Sequence, residues 1–215
     1  NYTISFSMNG DSLEMWNYYT KGSSIQGYNI GFDIDKLAST IQIEILDDEG
    51  QQIKRNEDKH LVLYQGKVIY DRNRQLELIK LIFNKFYNKY NELGDEQMLS
   101  ITAHYMVYKA MNYGLFFKSE EFDIEKEYRF IFSTSLLEGR NNSEKGIPYK
   151  EKFRIHGGCI IPYQKCSFGM ESISVVTFSP SLFNDMVEAG MGRLLDQYGI
   201  TGEDRIKKSD IPLRF

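Results

Sequence analysis

Two helix-period runs stand back to back in the middle of this chain, and they constrain its fold more than any other feature. From Arg72 to Tyr90, the apolar residues Leu76, Ile79, Ile82, Phe83, Phe86 and Tyr90 recur at the spacing of one helix face. Leu93-Gly94 ends that run, because glycine suits a helix C-terminus. Asp95 opens a second helix to about Met111, with Met98, Ile101, Tyr105, Met106 and Tyr108 along it. Helices ordinarily bury one face, so these stripes are read as core rather than as cofactor contacts.

On either side the period shortens to two, the signature of strands. Tyr2–Ser7 alternates cleanly, and a turn at Asn9-Gly10-Asp11 leads into a short helix carrying Leu13, Met15, Trp16 and Tyr19. Strands are expected at Gln26–Asp33, where glycines permit close backbone approach, and at Ile41–Leu46. His60–Tyr70 reads as two short strands turning at Gln65-Gly66. After the helices come strands at Glu127–Thr134, Lys152–Ile155, Gly158–Pro162, Ser172–Ser179 and Arg205–Lys208. Leu137–Lys150 is a polar loop, and Ser181–Tyr198 a further helix. Strand clusters separated by a helix pair predict an α+β fold, with a mixed or antiparallel split sheet packed against helices. With no repeat or linker, residues 1–215 are read as a single domain.

Composition narrows the function classes. With 41% hydrophobic and 26% charged residues in 215, the chain can bury a sizeable core. A formal net charge of −4 argues against a dedicated nucleic-acid binder, which needs a basic face to neutralise phosphates. No apolar stretch approaches the roughly 18–20 residues of a membrane span, so no membrane partner is expected. Two cysteines, Cys159 and Cys166, cannot build a disulfide framework, and the cytoplasm is the expected compartment. Charge and length leave the oligomeric state open.

Separated blocks carry a family resemblance. They are Ser5-Phe6-Ser7, Asp11 to Tyr19, Gly27 to Asp33, Glu121 to Arg129, Ile161-Pro162-Tyr163, Ile173 to Pro180 and Ile206 to Arg214. In order and spacing they resemble the bacterial family known as domain of unknown function 2971. Tyr128 stands where Trp is common, and Ser179-Pro180 where the family usually has Gly-Pro. The resemblance implies that a front portion, a strand with an Asn-Asp-Pro turn, precedes Asn1 in relatives. It also implies a role in bacterial stress or phage defence, and a layout similar to ADP-ribosyltransferases, in which a split sheet clamps NAD.

That likeness gives the charged segment before Glu127 a chemical meaning. Residues two apart in an extended chain share a face, so Glu125, Glu127 and Arg129 are expected to line one surface. ADP-ribose transfer passes through an oxocarbenium-like cation. Glu127 would stabilise it as the catalytic carboxylate, and Glu125 would assist by deprotonating an acceptor. Arg129 would hold a phosphate bidentately or orient Glu127. Ser5 and Ser7 share a strand face and, with Tyr19, would lie around the dinucleotide. The plainer reading is an Arg–Glu pair at a strand entrance within a solvated acidic face. Trp16 is read as core, since large aromatics are mostly buried.

Other motifs are set aside. Ser133-Thr134-Ser135 follows the Glu-x-Glu element, whereas toxin transferases place such a string before it. His156, Cys159 and Cys166 are one Cys short of a structural zinc set, so no metal is expected. Gly190-Met191-Gly192 sits in a helix pattern and lacks the third glycine of a dinucleotide loop. Three readings remain. One is an NAD-dependent transferase or NAD-consuming effector, with a nucleotide ligand and an undefined macromolecular acceptor. The second is a non-enzymatic sensing or adaptor module of a defence or toxin–antitoxin system. The third is a metal-independent nuclease using His156, Glu127 and Arg129.

Overall fold

The computed structural model describes residues 1–20, 26–46, 52–53, 62–93, 96–133 and 152–212. In chain order the elements are β1 (Tyr2–Ser7), α1 (Leu13–Tyr19), β2 (Tyr28–Phe32), α2 (Ile34–Thr40), β3 (Gln42–Ile43), β4 (Ile45–Leu46) and β5 (Gln52–Ile53). There follow β6 (Val62–Lys67), α3 (Arg72–Leu93), α4 (Glu96–Gly114), a 3-10 turn at Glu120–Glu125 and β7 (Glu127–Ser133). The last group is β8 (Lys152–His156), β9 (Cys159–Tyr163), β10 (Cys166–Ser167), β11 (Ile173–Phe178), α5 (Asp185–Gln197) and β12 (Ile206–Lys208). The class is α+β, as the sequence predicts.

The chain forms two compact units. The first comprises Asn1–Tyr2, Asn9–Leu63 and Phe132–Phe215, the second Thr3–Met8 and Tyr64–Ile131. In the first unit β11 is the middle strand of a mixed sheet, antiparallel to β2 and parallel to β12. Val176 sits opposite both Ile30 and Ile206. It is buried with Leu195 of α5 and Ile200, and Met191 and Ile206 pack around them. Gly31 is needed in β2, since a Cβ there would meet Val175 Cγ1 at 2.5 Å.

Capping fixes the short helices of this unit. Ser12 accepts from the Met15 amide ahead of α1, and Asp33 accepts from Asp35 and Lys36 ahead of α2. Trp16 is buried, as expected for a core aromatic, and its indole N–H donates to Asp11 Oδ1 at 2.7 Å. Asp11 also accepts from the Ser209 hydroxyl and the Asp210 amide, tying the start of the unit to its last strand. Buried Ser179, in its unusual position, accepts from the Gly27 amide at 3.1 Å. Gly157 and Gly158, both at positive φ, close the β8–β9 hairpin.

The second unit holds a three-stranded sheet in the order β1-β7-β6 and the helices α3 and α4. Phe130 and Ile131 are fully buried, and Phe6 of β1 meets Phe130 edge-on at 5.7 Å. Val68 and Tyr70, which follow β6, are buried as well.

Several expectations are corrected. Gln65-Gly66 does not turn: β6 runs straight through both residues, so the neighbouring sheet decides against a local turn signal. Ile41–Leu46 is not one strand but two short ones, because β3 pairs with β10 while β4 pairs with β5. The sequence reading missed α2, whose apolar residues are too few to show a period. The helix expected from Ser181 starts at Asp185, where Asn184 accepts from the Val187 amide. The α3 and α4 stripes are not core: no described side chain of either helix is buried. Leu137–Lys150, and Thr134 and Ser135, lie outside the described residues.

Candidate functional site

The second unit gathers four charged side chains around β7. Glu127 opens the strand and is 5% exposed. Arg129, two residues on and on the same face, grips it with two hydrogen bonds, Nε to Oε1 at 2.9 Å and Nη2 to Oε2 at 3.0 Å. The Arg129 guanidinium also donates to the Leu115 carbonyl. Lys118 donates to Glu127 Oε2 at 3.2 Å and to Glu125 Oε2 at 2.6 Å. Nothing in the periodicity around Lys118 marked it, since it belongs to neither helix nor strand and meets its partners only through the fold.

Glu125 is placed differently from the expectation. It ends a 3-10 turn rather than extending β7, and Lys126 after it adopts φ 45°. That left-handed residue breaks the extended geometry on which a shared Glu125–Glu127–Arg129 face rests. The two carboxylates are brought together by Lys118 instead.

The serines of β1 reach the same place. The Ser5 hydroxyl donates to the Glu127 carboxylate, and the Ser7 hydroxyl donates to the Glu125 carbonyl at 2.8 Å. The Met8 amide donates to the Lys126 carbonyl, locking β1 against this corner. Tyr70 supports the strand entrance by accepting from the Glu127 amide at 2.9 Å. Gln75 in α3 donates to the carbonyls of Ile69 and Lys118, which fixes the segment that carries the lysine.

Charge at this corner is set by pairing. Burial pushes the Glu127 carboxyl up, but the hydrogen bonds from Arg129 and Ser5, with the charge of Arg129 and the bond from Lys118, hold it down at about 2. Burial works against the Lys118 ammonium, yet Glu125 and Glu127 outweigh it and keep its pKa above the ordinary 10.5. Burial raises the Tyr70 phenol, so it stays protonated. The corner is thus two carboxylates and two cations in mutual contact. A carboxylate held at about 2 and covered by three donors is a weak proton acceptor at neutral pH.

Beside the corner, Tyr70, Arg72, Gln75 and residues 117–121 line an open cleft of about 460 Å³. Lys118 is shared between cleft and cluster, while Glu127 is absent from the lining.

The family model described as "Protein of unknown function (DUF2971)" matches residues 15–130, more than half of the chain. The chain belongs to this family. The matched stretch includes Lys118, Glu125, Glu127 and Arg129, so the charged corner lies within the DUF2971 region. Ser5, Ser7 and the resembling blocks after residue 130 lie outside it. No curated protein and no solved structure gives a significant match, and the likeness to ADP-ribosyltransferases finds no support there.

The remaining candidates fall in the first unit. Tyr19 ends α1 and is 71% exposed. His156 is exposed at the turn of the β8–β9 hairpin, opposite Cys159. Cys166 lies on β10, where burial first and the Glu44 charge second push its thiol up to about 11. Among the described residues, no three His, Cys, Asp or Glu side chains gather as a metal set. No described helix is long and apolar enough to cross a membrane.

Proposed function

We propose that this DUF2971 protein is a non-enzymatic interaction module, the sensing or adaptor role in a defence system, and that the charged corner is its structural keystone. The observation that carries this reading is the α3–α4 pair. Its two long helices have no buried side chain among the described residues, and large apolar side chains stand open along both. Contiguous exposed apolar faces on a folded protein mark surfaces that bind other proteins. The corner complements that role. Glu127 is neutralised by Arg129 and Lys118, so it has no unpaired negative charge with which to stabilise a sugar cation.

A second reading, the NAD-dependent transferase, is favoured by one observation: β1, β7 and the 3-10 turn before β7 bring Ser5, Ser7, Glu125, Glu127 and Arg129 to a single corner. One assay separates the two. Full-length protein is incubated with NAD, alone and with lysate as a source of acceptors, and released nicotinamide is counted beside a Glu127→Gln variant. The module reading expects no release above buffer from either protein. Release by the wild type that Glu127→Gln abolishes overturns it in favour of the transferase.

A further inference from the structure

Away from the charged corner, the second unit holds a polar cluster that joins its sheet to α4. Tyr64 lies on β6, an edge strand, while Tyr108 and Asn112 stand one turn apart on α4. The two phenol oxygens are 2.5 Å apart, and the Asn112 side-chain amide donates to the Tyr64 oxygen at 3.2 Å. When Tyr108 loses its proton, Tyr64 is necessarily the donor of the bond between them. A relay results, in which Asn112 donates to Tyr64 and Tyr64 donates to Tyr108. Its last oxygen belongs to a side chain that is 39% exposed.

Such a relay stabilises negative charge at its outer end. The alternative anion, on Tyr64, is disfavoured because that ring is half-buried. Burial first, and then the bond to Tyr108, push the Tyr64 phenol up to about 12. The bonds from Tyr64 and Asn112, helped by the charge of Lys109, lower the Tyr108 phenol despite its burial. Tyr64 across the β6–α4 contact and Lys109 on the same helix are the titratable groups acting on Tyr108. Beyond its first residue, Glu96, α4 carries no carboxylate to oppose a phenolate.

We propose that Tyr108 is a covalent acceptor site for small activated acyl groups, a modification site on the module. Its phenolate oxygen attacks the carbonyl carbon of a donor of the acyl phosphate class. A C–O bond forms, phosphate leaves with the electron pair of the broken bond, and the phenol proton passes to water. Position selects the donor. Tyr108 lies inside a helix, and a helical residue does not take the extended form that a modifying enzyme's peptide groove requires, so the donor is a small soluble molecule. An easily ionised phenol is a weaker nucleophile, but the ionised fraction gains more than reactivity loses. In thiolates, nucleophilicity falls only about half as steeply as pKa, and the same balance applies to a phenolate.

N-acetylimidazole, a small acyl donor, tests this on the full chain near neutral pH, with acetylated residues read by peptide mass spectrometry at low conversion. Hydroxylamine then strips acetyl groups from phenols but not from amines, which separates Tyr108 from Lys109. Access alone would put Tyr18 and Tyr19 first, since they are 73% and 71% exposed. Tyr108 is expected to react about threefold faster than either, or more. Tyr64→Phe, which removes the donor, brings Tyr108 below both and leaves Tyr18 and Tyr19 unchanged. Asn112→Ala slows Tyr108 in part, and far-UV circular dichroism shows both variants folded. An order of reaction that follows exposure overturns the inference, as does a Tyr108 rate that neither variant changes. Neither result touches the module reading, which stands or falls on nicotinamide release.

Discussion

Glu127 joins a sequence expectation to a different physical role. The sequence placed it beside Arg129 on one strand face, and there the two side chains meet in a bidentate pair. Glu125 belonged to the same expectation but reaches the corner through Lys118, because left-handed Lys126 turns the chain between the two glutamates. Period-two arithmetic cannot foresee one residue of positive φ. The pairing has consequences for stability. The folded pKa of Glu127 lies below its ordinary 4.5, at about 2, so its contribution is complete above about pH 4.5 and is lost as pH falls toward 2. Glu127→Gln removes the negative charge that Arg129 and Lys118 share and turns one acceptor oxygen into a donor, and is expected to cost about 3 kcal/mol in urea unfolding at pH 7. The same variant should flatten the acid limb of stability between pH 4.5 and 2; an unchanged limb would assign that pH dependence elsewhere. Of the two thiols, exposed Cys159 should react with a thiol reagent at pH 8 well before Cys166, which burial pushes up to about 11.

At the scale of elements, long or strictly alternating segments were legible and short ones were not. The long runs of α3 and α4, and the alternation of β1, carry enough repeats to outweigh local noise. α2 is seven residues, fewer than two full periods of a helix face, and its start is written in one capping residue, Asp33. Asp33→Ala should therefore cost about 1 kcal/mol, seen as a lower melting temperature in calorimetry. A loss below a few tenths would mean that tertiary packing alone holds α2. Gln65-Gly66 carried a plausible turn signal, but both residues lie inside β6, which is hydrogen-bonded beside β7, and that partner overrides the dipeptide.

For the whole molecule, what the sequence by itself determined is the α+β class, the helix pair, the strand bearing Glu127 and Arg129, and the membership signalled by ordered blocks. These follow from periodicity and local chemistry, which neighbouring residues carry between them. What only the tertiary structure decided is that the charged corner is completed by Lys118 and Ser5, and that the helical stripes are half-buried or exposed rather than core. Both depend on which distant segments meet. A hydrophobic stripe records that a helix must be covered, but its residues do not say whether its own chain or another molecule provides the cover.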